Sequence, residues 1–137
     1  DAILAVFGAP HRQDDDPERA VRCALAMQEA ISTVNAENEA EGLPTLQHRI
    51  ALNTGSVIAG NIGSDRRAKY GCVGHAMNVT SRIEGETHPD EILISADTRN
   101  ALPRDAFSFG EARHLSVKGI EDAIVVYPVL GIGKNHA

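Results

Sequence analysis

Two polar side chains four residues apart, Asn78 and Arg82, are the residues best placed to do chemistry. On a helix that spacing projects both from one face, one turn apart, with Val79 and Ile83 turned the other way. An amide beside a guanidinium can orient a sugar and neutralise a phosphate, because Arg presents a planar fork of donors and keeps its charge. The same pair also fits a solvated polar face with a local Arg82–Glu86 pair. A second segment, Asn53-Thr54-Gly55-Ser56-Val57-Ile58-Ala59-Gly60-Asn61-Ile62-Gly63, places three glycines between strand-like runs. Such glycines allow close backbone approach by something flat or anionic, or simply build a hairpin with a bulge.

Three further candidates are weaker. Asp1 stands just before an apolar run, where a carboxylate can ligate Mg²⁺ or remain solvated. Lys118, in Val117-Lys118-Gly119, can reach a polyphosphate or decorate a strand edge. Asp14-Asp15-Asp16 precedes Pro17 and reads better as a helix cap than as a metal site. The six histidines form no metal-like spacing, and no Ser/His/Asp or Cys/His grouping supports a hydrolase.

The elements that position these residues follow from periodicity. Residues 3–7 read as a buried strand closed by Gly8-Ala9-Pro10. A helix that Asp16 caps, running from Pro17 to about Glu39 or Glu41, carries an apolar face of Ala20, Ala24, Met27, Ile31 and Val34. Residues 48–52 and 56–61 read as two strands joined by a tight turn at Asn53-Thr54-Gly55. A short strand at 70–73 leads through Gly74 into a second helix at 76–87, stopped by Pro89, with Ala76, Val79, Thr80 and Ile83 inward. A strand at 91–95, a short helix at 96–102 and strands at 113–118 and 124–130 follow, with residues 131–137 as a frayed end. This mixed order is that of an α+β fold, helices packed on a largely antiparallel sheet.

Composition excludes several classes. With 13 Lys+Arg against 19 Asp+Glu the net charge is −6, and aromatics make up 4% with no Trp, so a nucleic-acid backbone is not an expected partner. No apolar run approaches the roughly 20 residues of a membrane-spanning helix. Cys23 and Cys72 do not make a disulfide framework and are expected to be reduced and packed, in a cytoplasmic protein. The chain opens on Asp1-Ala2-Ile3-Leu4-Ala5-Val6-Phe7 with no initiator Met and no polar lead-in, so it is expected to be an excerpt of a longer protein.

Taken together, these blocks resemble the catalytic domain of the class III adenylate/guanylate cyclases of bacterial type. The resemblance runs from Asp1 through Leu52-Asn53-Thr54-Gly55, Gly60-Asn61-Ile62-Gly63 and Tyr70-Gly71-Cys72-Val73-Gly74-His75-Ala76-Met77-Asn78-Val79-Thr80-Ser81-Arg82-Ile83-Glu84 to Val117-Lys118-Gly119. It implies a ferredoxin-like βαββαβ core occupying residues 1–131, with a tail at 132–137 and with the first strand and helices missing from this chain. It further implies a homodimer with nucleotide sites at the subunit interface, and conversion of ATP or GTP to the 3′,5′-cyclic nucleotide and pyrophosphate. Two Mg²⁺ or Mn²⁺ ions assist that reaction in the family. By the same resemblance Asp1 is the second metal-binding aspartate, Asn78 positions the ribose, Arg82 stabilises the phosphate in the transition state, and Lys118 lies in the phosphate-binding stretch. Gly71 falls at a base-selecting position, where it supplies no side-chain hydrogen bond, and His75 stands where Asp or Asn is common. These two departures also fit a degenerate domain that binds nucleotide or a partner without turnover. The first metal aspartate and any sensory or membrane-anchoring segment belong to sequence upstream, so this piece alone is expected to be inactive.

Overall fold

The computed structural model describes residues 2–62, 69–116 and 123–133. Helix α1 spans Asp16–Ala40, followed by β1 (Arg49–Leu52), β2 (Ile58–Ile62), β3 (Lys69–Val73), α2 (His75–Gly85), β4 (Glu91–Ser95) and α3 (Ala96–Asn100), then β5 (Phe107–Phe109), β6 (Arg113–Leu115) and β7 (Ile124–Ile132). The architecture is α+β. One sheet runs β1-β4-β7-β5 with β6 also on β7, while β2 and β3 form a separate antiparallel pair. Strand β1 lies parallel to β4, and β7 lies antiparallel to β4, β5 and β6.

Strand β4 organises the interior, because successive side chains of a strand face opposite sides. Ile92 and Ile94 turn toward α1 and pack with Val21, Ala24, Phe107 and Val129. Leu93 turns the other way and packs with Ile83 of α2 and Val126. Both faces are covered, so Ile92, Leu93 and Ile94 are 0–1% exposed, which is why the run is uninterruptedly apolar rather than alternating.

Several local expectations need correction. Residues 2–6 join no strand ladder among the described residues, and Ile3 is 90% exposed; an apolar run becomes a buried strand only where a neighbour pairs with it. The inner stripe of α1 is Val21, Ala24 and Leu25, whereas Met27 and Val34 lie exposed. Strands β1 and β2 are not hairpin partners: β1 pairs with β4 and β2 with β3. Phe107–Phe109 forms a strand, β5, absent from the sequence reading, and β6 ends at Leu115. Strand β7 continues through Ile132, and the Gly133 N–H donates to the Ala106 carbonyl at 2.9 Å, so the fold extends past residue 131. Asp16 is the first residue of α1 rather than its cap; its Oδ2 accepts the Gln13 N–H at 2.9 Å. Cys23 is exposed, not packed.

Candidate active site on helix α2

Helix α2 rises from β3 through Gly74, whose φ of +146° lets the chain turn sharply. A Cβ on Gly74 would also stand 3.3 Å from the Ser56 carbonyl oxygen. The sequence therefore needs glycine here both for the turn and for the close pass of the loop before β2. Ile83 is fully buried and Val79 packs beside it against β4 and β7, which fixes the inward face of α2.

On the other face Asn78 and Arg82 are both exposed, so neither is spent on the core. Arg82 Nη2 donates to the Ser116 carbonyl at 3.2 Å, and the Glu86 carboxylate lies 3.8 Å away. Both partners of that ion pair are nearly half exposed, so it is worth little and leaves the guanidinium available to an anion. The local pair expected from sequence is thus present without consuming the residue. Ser116 lies two residues before Lys118 in the sequence. Gly71 lies in β3 opposite Gly60 of β2, a cross-strand pair of two residues without side chains. Asp1 and Lys118 lie outside the described residues.

The first turn of α2 is gripped by the loop after β1. Asn53 Nδ2 donates to the Ala76 carbonyl at 3.1 Å, and that oxygen also accepts the Thr80 hydroxyl at 2.7 Å. A Cβ on Gly55 would stand 2.7 Å from the Ala76 Cβ, so Gly55 is used for close approach to the helix. Thr54 turns the other way, its hydroxyl 2.9 Å from that of Thr98. A cleft of about 560 Å³ opens beside this loop, with His75 and Asp97 among its polar residues and Val79 on its apolar wall. His75 is the first residue of α2, and Gly74 stands at its N-cap. The segment holding Asn53 and Thr54 was a candidate for its glycines, but the side-chain contacts of Asn53, Thr54 and Thr98 were not legible, because their partners are 23 and 44 positions away. Among the described residues no group of three His, Cys, Asp or Glu side chains converges.

Comparison with known proteins identifies the family. Residues 1–131 match the family described as the adenylate and guanylate cyclase catalytic domain. Adenylate cyclase 1 of Rhizobium meliloti (strain 1021) is 31% identical over 134 residues, covering 96% of this chain and 20% of that protein. Among solved structures, the guanylyl cyclase Cya2 is 43% identical with a TM-score of 0.86, covering 93% of this chain and 64% of that one. The adenylyl cyclase CyaB from P. aeruginosa is 29% identical with a TM-score of 0.84, covering 93% of this chain and 66% of that one. The chain therefore spans about a fifth of that curated relative and roughly two thirds of these solved domains. By this match across nearly its whole length, the chain belongs to the adenylate and guanylate cyclase catalytic domain family.

Proposed function

We propose that this chain is the larger part of a catalytic domain that converts ATP, or GTP, to the 3′,5′-cyclic nucleotide and pyrophosphate for cytoplasmic signalling. In that reaction the ribose 3′-oxygen attacks the α-phosphorus, the bond to the bridging α–β oxygen breaks, pyrophosphate leaves and the 3′-hydroxyl proton is released. The observation that carries the reading is the pairing of an exposed amide and an exposed guanidinium, Asn78 and Arg82, on a helix whose inward face is fixed by the core. Asn78 would hold the ribose in the geometry for attack, and Arg82 would offset the negative charge that grows on the phosphate. Family membership supports the reading, and the relatives named above include enzymes for both bases.

In this proposal the site forms between two copies of the domain, Asn78 and Arg82 of one facing acidic residues of the other. Asp1 is the residue of this chain assigned to Mg²⁺ or Mn²⁺. Lys118 is assigned to the polyphosphate, and Gly71 flanks the base with backbone alone, leaving selection between adenine and guanine to other groups. The test is an assay of the full-length protein with ATP and with GTP, each with Mg²⁺ and with Mn²⁺. Cyclic product in one of these is expected. Absence of product in all of them, with nucleotide binding retained, would establish the non-catalytic binding domain instead.

A further inference from the structure

We infer that Thr98 and Asn53 are positioning residues for α2, joined by a hydrogen-bonded chain that runs from Ser95 through Thr98 and Thr54 to the loop, and from Asn53 to the Ala76 carbonyl. The inference rests on the reading of α2 as the nucleotide-binding helix. Thr98 is 1% exposed and Ser95 3% exposed, so their hydroxyls are costly to bury unless hydrogen-bonded. Their hydroxyl oxygens lie 3.1 Å apart, and Thr54 completes the set at 2.9 Å from Thr98.

The hydroxyl of Thr98 is not needed to cap α3. That role belongs to its backbone N–H, which donates to Ser95 Oγ at 3.2 Å. What the hydroxyl adds is the reach to Thr54, 44 residues earlier in the chain. Thr54 is bonded directly to Asn53, whose side-chain amide holds the Ala76 carbonyl at 3.1 Å. The loop is thus anchored on one side to the β4–α3 junction and on the other to the first turn of α2. Gly55, pressed against Ala76, leaves the contact no slack.

A helix transmits a displacement of its first turn along its length as a nearly rigid rod. Arg82 lies six residues beyond Ala76, about 9 Å along the axis at the usual rise. A tilt at Ala76 therefore displaces the guanidinium, whose planar fork depends on orientation when it meets a phosphate. Misplacement of about 1 Å at a reacting centre costs up to roughly 100-fold in rate. The hydroxyl of Thr98 would in this way act on catalysis without touching the nucleotide.

The test compares Thr98→Val, which keeps shape and removes the hydroxyl, with Thr98→Ser, which keeps the hydroxyl, both in the full-length protein. The expected result for Thr98→Val is a fall in kcat of about tenfold or more with KM for ATP or GTP changed by less than about threefold. Amide exchange at Val79 and Thr80 should quicken while that at residues 92–94 is unchanged, and Thr98→Ser should restore both readouts. Wild-type kcat and exchange in Thr98→Val would overturn the inference, as would equal impairment of the two variants, which would assign the effect to packing. Should Thr98→Val not fold, Asn53→Asp carries the same readouts, since it sets an acceptor against the Ala76 carbonyl; unaltered kcat and exchange there would also overturn it. If the wild-type protein yields no cyclic nucleotide, the cyclase reading fails, whereas the exchange comparison still decides whether the hydroxyl chain holds α2.

Discussion

Replacement of Gly55 by Ala should damage the protein through a single contact, and Ala76→Gly should repair it. The added Cβ would stand 2.7 Å from the Ala76 Cβ and 3.9 Å from its Cα, so the methyl of Ala76 is the obstacle. Carbon atoms in contact prefer about 3.5–4.0 Å, so loop and helix must part by roughly 1 Å. Overpacking of this kind costs about 1–3 kcal/mol, and about 2 kcal/mol is expected for Gly55→Ala. Ala76→Gly alone should cost about 1 kcal/mol, the usual helix penalty. Without coupling the double variant would lose about 3 kcal/mol; with the clash relieved it should lose only about 1 kcal/mol, a coupling of about 2 kcal/mol. Urea midpoints measured by pulse proteolysis of the full-length protein give the four corners of this cycle. Cyclic nucleotide formation should follow the same order, because parting the loop from α2 also moves the face that bears Asn78 and Arg82. Additive losses in the double variant would refute the contact and with it the close grip of the loop on the helix.

Arg82→Ala should lower kcat about 100-fold or more while moving stability by less than about 1 kcal/mol, since its partners in the structure are a backbone carbonyl and an exposed carboxylate. Arg82→Lys should recover little of that rate, for lack of the planar fork; product assays beside a urea titration check both. Leu93→Ala should cost about 2–5 kcal/mol, because Leu93 is fully buried between β7 and α2, and a large loss of urea resistance is the readout. Glu91→Gln removes the carboxylate that the Arg113 guanidinium reaches from β6, and should cost about 1–3 kcal/mol with faster amide exchange along β6.

Local periodicity was enough to place the elements that are apolar on every side or strongly amphipathic. The run Ile92-Leu93-Ile94 read as a strand, which the structure covers on both faces, and Val79 with Ile83 set the inward side of α2, so Asn78 and Arg82 were legible as outward residues. Strand partners were not legible in the same way. Asn53-Thr54-Gly55 has the composition of a tight turn, but its glycine serves close approach to Ala76, and β1 goes to β4 instead of β2. Val21 rather than Met27 proved inward on α1, because the position of β4, not the sequence of the helix, decides which stripe of a long weakly amphipathic helix is covered. Strand β5 is three residues long, too short for any period to show. The hydroxyl contact between Thr54 and Thr98 lies beyond any reading by spacing, since it joins positions brought together only by the finished sheet.

Strands β1 and β4 are immediate neighbours in the sheet, yet the chain between them makes the whole excursion through β2, β3 and α2. The two ends of that excursion are pinned side by side, Leu52 opposite Ile94 at one end of the ladder and the Asp90 N–H on the His48 carbonyl at the other. The helix that bears Asn78 and Arg82 therefore lies in an excursion whose two ends are held side by side in the sheet. Loop closure grows only slowly in cost with length, and β2 and β3 form a sheet of their own, so a change of length between β1 and β4 should carry little penalty for the main sheet. Changes confined to β2 and β3 should therefore leave the β1–β4 ladder, and with it the main sheet, in place.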